Sequence, residues 1–586
     1  MTKIIAPKWD LRDFYSTISD KKITQDLNYA KKSAQEFSKK YQGNIFNLKS
    51  HDLFVAIKKY EEIAEILGKV GSYSYLVYAS DLSNQKNISF YQNNSEKISE
   101  INKDLVFFTL EINKINDSKL NEMYKNSQDL QKYQPYLRDI RVFKKHELSQ
   151  ELEEFIVEKN ISAKNAWVRF FDELVNNLEF TYRGKVLSNQ EIFDLMSDVD
   201  EKVRKDAALA IARTLEKNSK TFAFITNILA KDKSIEDKYR KFAKPISSRN
   251  LSNFVADEIV NILIQKVREN YKNISHKYYK KKAKIMGKKF LNFYDRNAPL
   301  STKKEKLISW EEAKTLVLEA YEEFDPKMRE IGKMFFEKKW IDAEVRKGKD
   351  SGAFSHPCVP SIHPYILMNY QGKVRCVMTL AHELGHGIHQ YLATKQGYLM
   401  ADTPLTLAET ASVFGEQLVF QKILQNEKNA ECRKIIIANK VEDMINTAVR
   451  QIAFLEFERK IHDARRNGEI PLEKICQFWM EVQKESLGDA FKFQKEYKYF
   501  WAYIPHFIHS PFYVYSYAFG ECLVNSLYGA YQSGNIKNFT TKYLQMLEFG
   551  GVKHHKEMLE PFGLNARKAE FWQNGLDVIA KYVDMI

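Results

Sequence analysis

Apolar residues recur at intervals of three and four along most of the chain, and helix-breaking residues are sparse, with 22 glycines and 13 prolines among 586 residues. Trp167, Phe170 and Phe171, for example, share one face of a predicted helix. Ser188 and Ser309 each precede a glutamate by three residues, which is the capping-box pattern of a helix N-terminus. We therefore expect a mainly α protein with long helices, whose aromatic residues pack the core rather than a cofactor.

Two segments depart from this spacing. Residues 178–187 alternate around a glycine and predict a short β-hairpin between helices. Residues 348–371 begin as a loop rich in glycine and proline, and they end in an apolar segment, residues 364–370, that predicts a strand. Such a strand could pair an extended peptide along a free edge, or it could belong to a structural hairpin. The sequence alone leaves both interpretations open.

Composition is that of a soluble globular protein, with 44% hydrophobic and 28% charged residues. No apolar stretch approaches the roughly 20 residues of a membrane-spanning helix. The first residues lack the apolar core of a secretory signal. The five cysteines are scattered and contain no C-x-x-C pair, which argues against a disulfide framework and against a thiolate metal site. We expect a cytoplasmic protein.

The net charge of +14 raises the question of nucleic-acid binding. Lysines alternate with acidic residues along residues 22–40 and 198–217, as they do on solvated helix faces. Only residues 280–284 form a dense basic run, and no nucleic-acid-binding motif accompanies it. We expect neither a nucleic acid nor a membrane as partner.

The segment H-E-L-G-H contains the residues of a metal site. His382 and His386 are four residues apart, a rotation of about 400° on a helix, so both imidazoles leave the same face and can reach one ion. Glu383 is rotated by about 100° from His382, which suits a general base better than a ligand. With only 13 histidines in the chain, a metal site explains the pattern better than a core helix with two hydrogen-bonded histidines.

The third ligand determines the class of metal site. A metzincin needs glycine and histidine where this chain has His389 and Leu392, so that class is excluded. A gluzincin takes a glutamate from the next helix, and Glu409 or Glu416 could serve, although Thr406 also makes Glu409 part of a capping-box pattern. His389 is interpreted as support behind the metal, because a fourth protein ligand would close the site. Two histidines and a glutamate leave a position for water and predict a metallopeptidase.

An aromatic segment near the C-terminus, residues 500–520, contains His506, Tyr513 and Tyr517. Peptide hydrolysis creates an oxyanion that needs O–H or N–H donors, and these three residues are candidates. Both tyrosines would share one face if the segment is a helix. The alternative is a packing segment whose polar tips reach solvent.

Seven motifs follow one another along the chain: W-D-L-R-D-F-Y (9–15), Y-D-R-N-A-P-L (294–300), G-K-D-S-G-A-F-S (348–355), T-L-A-H-E-L-G-H (379–386), A-E-T-A-S (408–412), I-P-H-F (504–507) and F-Y-V-Y-S-Y-A-F-G (512–520). This ordered set resembles oligoendopeptidase F, in the thimet-oligopeptidase-like family of gluzincin peptidases, over almost the whole length. The resemblance implies a large two-lobed helical zincin, with a small β element beside the metal helix and a deep channel for substrate. It also implies an N-terminal helical region over residues 1–190, with a core at about 113–184, and a catalytic domain over residues 195–586.

The same resemblance implies roles for individual residues. One Zn²⁺ per chain is held by His382, His386 and Glu409, with Glu383 as general base. His506 matches the family's active-site histidine, and Tyr513 and Tyr517 keep the spacing of a tyrosine pair, although F-I-H-S-P-F replaces the family's glycine-rich turn before them. The residues implied to border the substrate are Gly352, Ala353, Phe354 and Tyr365.

The expected activity is hydrolysis of internal bonds in short unfolded peptides. A gluzincin aminopeptidase or carboxypeptidase is the alternative among enzymes, and no G-x-M-x-N exopeptidase signature is present. A helical peptide-binding protein with a relic zinc site is the non-catalytic alternative. The sequence leaves the cleavage preference and the oligomeric state open.

Overall fold

Helices make up most of the structure, a computed structural model that describes residues 5–300 and 307–586. The helices before residue 300 are α1 (Lys21–Tyr41), α2 (Ser50–Ser80), α3 (Gln85–Lys103), α4 (Phe107–Lys114), α5 (Asp117–Lys125), α6 (Gln128–Lys132), α7 (Gln134–Ile140), α8 (Gln150–Ser162), α9 (Lys164–Asn176), α10 (Asn189–Asp194), α11 (Glu201–Tyr239), α12 (Ser247–Ser252), α13 (Asp257–Glu269) and α14 (Lys277–Ile285). Those after residue 307 are α15 (Trp310–Phe324), α16 (Pro326–Glu337), α17 (Val374–Ala393), α18 (Leu405–Asn426), α19 (Ala430–Thr447), α20 (Val449–Arg465), α21 (Leu472–Leu487), α22 (His506–His509), α23 (Tyr515–Gln532), α24 (Phe539–Glu548), α25 (His555–Leu559) and α26 (Ala569–Met585). The predicted mainly α fold is confirmed. The capping boxes at Ser188 and Ser309 are both formed, at the starts of α10 and α15.

The strands are short: β1 (Phe180–Tyr182), β2 (Lys185–Leu187), β3 (Leu291–Asn292), β4 (Ile341–Asp342), β5 (Phe354–His356), β6 (Tyr365–Leu367) and β7 (Phe491–Lys492). β1 and β2 form the predicted hairpin, with Phe180 opposite Leu187. β3 pairs with β7 in parallel. The third sheet has the order β4-β6-β5.

The chain forms two compact units that interleave along the sequence. Unit 1 comprises Met1–Lys144, Glu305–Asn426 and Gly534–Leu564, and unit 2 comprises Lys145–Lys304, Glu427–Ser533 and Asn565–Ile586. The predicted boundary between residues 190 and 195 stays a prediction, since these units follow tertiary contacts rather than one cut in the chain. Among the helices of the described ranges, none is both long and apolar enough to cross a membrane.

In unit 1 the three-stranded sheet lies against α17. Ser355 of β5 donates a hydrogen bond to Gln390 Oε1 over 2.7 Å, and Gln390 Nε2 returns one to the Ser355 carbonyl over 3.0 Å. The predicted strand in residues 364–370 is confirmed as β6. Of the two interpretations left open for this strand, the structural one holds, because β4 pairs with it in parallel on one side and β5 antiparallel on the other. Within the described chain, β5 is an edge strand of this sheet.

In unit 2 a sharp turn joins α22 to α23. Phe512, at φ 61°, adopts the left-handed conformation that side chains other than glycine rarely take. Its N–H donates to Glu458 Oε1 of α20 over 2.8 Å. Asn253 Nδ2 donates to the Tyr515 hydroxyl over 2.8 Å and fixes the start of α23. These contacts set the direction in which α23 leaves the turn.

Candidate metal centre

The metal-site residues lie on α17 and α18 of unit 1, which approach closely through glycine. A Cβ added to Gly385 would lie 2.5 Å from the Ala411 carbonyl oxygen and 2.8 Å from Ser412 Cα, both on α18. A Cβ added to Gly415 of α18 would likewise collide with the Tyr321 hydroxyl. That hydroxyl donates a hydrogen bond to the Ala381 carbonyl over 2.6 Å. The two glycines let the backbones come close enough for side chains of both helices to share one ion.

His382, His386 and Glu409 each offer a ligand atom, and these atoms lie within 4.8 Å of one another. Glu409 Oε2 is 3.4 Å from His382 Nε2 and 3.5 Å from His386 Nε2. Tetrahedral bonds to zinc of about 2.0–2.1 Å place two ligand atoms about 3.4 Å apart, so the geometry fits zinc. All three side chains keep some exposed surface, between 17% and 28%. A water or substrate can therefore reach a fourth position.

Two further residues orient the ligands. Glu416 Oε1 lies 2.6 Å from His382 Nδ1, the ring nitrogen that faces away from Glu409. Ser412 donates a hydrogen bond to Glu409 Oε2 over 2.7 Å. A carboxylate behind a metal-binding histidine fixes its tautomer and raises its basicity. Glu416, which the sequence left open as ligand or support, has the position of a support, and Ser412 was missed although it stands in the A-E-T-A-S motif.

The charges around the ligands favour a cation. Burial lowers the pKa of His382, but the carboxylates of Glu416, Glu409 and Glu383 outweigh it and raise that pKa to about 9. Burial raises the pKa of Glu409, but His386 and His382 outweigh it and lower that pKa to about 2. The cluster thus holds a negative charge that attracts a proton or a metal ion.

Glu383 is the buried carboxylate of the group, with 6% of its surface exposed. Burial raises its pKa, and the neighbouring His382 and His386 only partly offset this rise. A carboxylate whose pKa is raised is a better proton acceptor. The environment of Glu383 therefore suits a general base.

His389 lies on the same helix but outside the ligand cluster. It is buried, which lowers its pKa to about 3 and keeps the ring neutral. Its Nε2 is 3.4 Å from the Thr403 hydroxyl, and the ring also contacts the main chain of Ala408, the residue before Glu409. This placement agrees with the predicted supporting role.

The residues predicted to border the substrate have different environments. Gly352 and Ala353 are exposed, and the Gly352 N–H donates to Asp350 Oδ1 over 2.8 Å. Phe354 is half-buried on the edge strand β5. Tyr365 is fully buried, and its hydroxyl donates to the Asp10 carbonyl over 2.7 Å, so its ring packs in the core. A substrate contact stays a prediction for the other three.

The predicted oxyanion donors come together in unit 2. His506 Nε2 is 3.3 Å from the Tyr517 hydroxyl, and the rings of Tyr513 and Tyr517 meet edge to face at 5.3 Å. Burial lowers the pKa of His506, helped by the positive charges of His509 and Arg450. The two tyrosines would share a face only if the segment were one helix, and that condition is not met, because Tyr513 precedes α23.

Gly385→Ala tests the close approach of α17 and α18. The added methyl group has no space beside the Ala411 carbonyl, so we expect a loss of about 1–3 kcal/mol in stability and weaker metal binding. Gly71→Ala in α2 is the matched control, because its Cβ would meet only Ile98 Cδ1 at 3.6 Å. That control should be neutral or stabilise by up to about 1 kcal/mol. Thermal unfolding and chelator competition measure both effects; equal behaviour of the two variants would contradict the argument.

Known proteins resemble the chain over most of its length. The model of Peptidase family M3 matches residues 194–578, and that of Oligopeptidase F matches residues 111–180. An oligoendopeptidase F homolog of Borreliella burgdorferi is 29% identical over 578 residues, which is 97% of this chain and 96% of the relative.

Solved structures share the fold. A crystal structure from Chlamydophila abortus superposes with a TM-score of 0.87 at 25% identity and covers 99% of this chain and 98% of its own. The crystal structure of oligoendopeptidase-F from Enterococcus faecium has a TM-score of 0.71 at 20% identity and covers 96% and 97%. Both likenesses extend over both compact units.

Proposed function

The chain belongs to peptidase family M3, and we propose that it is a zinc-dependent oligoendopeptidase that cleaves internal bonds of short, unfolded peptides. The cluster of His382, His386 and Glu409, with Glu383 on the same helix, is the observation that carries this proposal. The name of the Borreliella burgdorferi relative supports the preference for internal bonds of oligopeptides.

The residues divide the chemistry between them. Zinc held by His382, His386 and Glu409 would supply a Lewis acid that lowers the pKa of water and polarises the scissile carbonyl. Glu383 accepts the proton of the attacking water on its carboxylate and passes it to the leaving amine. Glu416 and Ser412 keep the ligands in position.

His506 and Tyr517 are the proposed donors to the oxyanion. Burial lowers the pKa of His506, and its neutral ring has a single N–H. The 3.3 Å contact uses one of the pair's two hydrogens, so the pair offers one hydrogen bond at a time to a developing negative charge. When His506 Nε2–H donates to the Tyr517 oxygen, the tyrosine O–H can donate to the oxyanion.

Tyr517→Phe tests that role. We expect kcat to fall about 10²- to 10³-fold with little change in KM or zinc content, because the donor acts only in the transition state. Tyr239→Phe is the control, an exposed tyrosine of the same unit. If Tyr513→Phe loses activity while Tyr517→Phe keeps it, the donor to the oxyanion is Tyr513 and not Tyr517.

A peptide panel tests the overall function. The enzyme should cleave peptides blocked by N-terminal acetylation and C-terminal amidation, leave folded proteins intact, and lose activity to a zinc chelator until zinc is restored. A requirement for a free N-terminus would favour an aminopeptidase, and one for a free C-terminus a carboxypeptidase. Binding without any hydrolysis would favour the non-catalytic alternative.

A further inference from the structure

Two arginines of unit 2 face a group of tyrosines. Arg296 follows β3 in the chain, and Arg450 lies in the first turn of α20. Both guanidinium groups are within electrostatic reach of each other and of three phenol rings: Tyr279, Tyr497 and Tyr503. These residues come from separate parts of the sequence, so the fold assembles the group.

Neither arginine has an ionic partner in the part of the chain that the structure describes. Arg296 donates to Asn446 Oδ1 over 2.6 Å, and Arg450 stacks on Phe454 with its guanidinium carbon 4.9 Å from the ring centre. The Nε atoms of both arginines are buried. The Tyr279 hydroxyl interacts with Arg296, and the two Nε–H groups beside it have no acceptor.

The nearby carboxylates are already engaged. Glu442 accepts hydrogen bonds from Lys282 at 2.9 Å, in an ion pair whose lysine is fully buried. Asp295 accepts from Arg204 and from Lys288, both at 2.8 Å. The charges of Arg296 and Arg450 thus remain uncompensated by these groups.

An uncompensated guanidinium in a buried setting is costly. Burial and the charge of Arg296 lower the pKa of Arg450. Burial also acts to lower the pKa of Arg296, but the neighbouring phenols, Tyr279 first, outweigh it and raise that pKa. One negative charge between them would offset both the repulsion and the unmade hydrogen bonds. Arginine N–H groups and a phenol hydroxyl donate hydrogen bonds, and a carboxylate or a halide can accept them.

We propose that Arg296, Arg450 and Tyr279 form a binding site for one monovalent anion, either chloride from solution or the C-terminal carboxylate of a peptide. The carboxylate source rests on the proposed peptidase function, whereas anion binding itself does not. The site lies near His506, since Phe454 under Arg450 packs against Phe507 with ring centres 5.4 Å apart. The positive charge of Arg450 contributes to the lowered pKa of His506, and a bound anion would weaken that effect.

Thermal unfolding of the full chain tests binding without any catalysis. Potassium chloride or potassium acetate is titrated while a bulky sulfonate salt keeps the ionic strength constant. Each anion should raise Tm in a saturable way by about 1–3 °C. Arg450→Gln should abolish the rise and Arg450→Lys should weaken it. Arg459→Gln, a half-exposed residue of the same helix paired with Glu456, should keep it.

Peptide kinetics identify the source of the anion. If the ligand is the C-terminal carboxylate, kcat/KM should favour the free acid over the amide about 10- to 100-fold, and Arg450→Gln should remove that preference. If the ligand is chloride, both peptides should respond equally to chloride, again only with Arg450 present. A wild type without a saturable Tm rise, or a rise that Arg450→Gln retains, overturns the site. Inactivity toward all peptides with the Tm rise intact would count against the proposed function alone.

Discussion

Glu383→Gln should abolish nearly all peptide hydrolysis and leave zinc bound. Glutamine keeps the size and burial of the side chain but cannot accept a proton from water, so the general-base contribution of about 10²- to 10⁴-fold is lost from kcat. His382, His386 and Glu409 are untouched, so metal affinity should change little. Steady-state kinetics on a blocked peptide, together with metal analysis of the same sample, measure both quantities.

Glu330→Gln is the matched control for that experiment. Glu330 is an exposed carboxylate of α16 in the same unit, so its loss should alter neither kcat nor zinc content. Full activity of Glu383→Gln would remove this residue from the mechanism. Loss of zinc together with activity would show that Glu383 acts in metal binding rather than as a base.

The helix of the metal site could be predicted because its geometry is local. A helix converts sequence spacing into angle, so His382 and His386 necessarily share a face and Glu383 is turned away from them. The capping boxes and the β1–β2 hairpin are local in the same sense. Such features need no knowledge of the rest of the fold.

What the sequence could not decide concerns contacts between distant segments. It left open whether residues 364–370 have a free edge, and the edge is occupied because β4 pairs with β6 from about 25 residues earlier in the chain. Tyr513 lies outside α23 because the turn at Phe512 is held by Glu458, which belongs to another helix. Neither of these two contacts produces a periodic pattern in the sequence of the segments that make it.

The choice between Glu409 and Glu416 shows the same limit within the site. Both lie on α18 two turns apart, so helical spacing alone treats them alike. The structure separates them by the nitrogen of His382 that each approaches: Nε2 for Glu409 and Nδ1 for Glu416. Atomic positions are needed to distinguish the ligand from the supporting residue.

Glu409→Gln and Glu416→Gln should therefore differ sharply in zinc affinity. Glu409 supplies one of three proposed ligand atoms, so its replacement should remove tight zinc binding and, with it, activity at ordinary zinc concentrations. Glu416 only supports His382, so its replacement should weaken zinc affinity about 10- to 100-fold and leave much of kcat at saturating zinc.

Chelator competition gives the two dissociation constants, and kcat at saturating zinc separates metal loss from damaged chemistry. Each variant is the control for the other, because both remove one negative charge from the same helix near the same histidine. If charge alone holds the ion, the two losses should be equal. If Glu416 were the ligand, the order would reverse, and His382 would have to bind through Nδ1 rather than Nε2. The 3.4 and 3.5 Å distances from Glu409 to both histidines predict that the larger loss falls on Glu409.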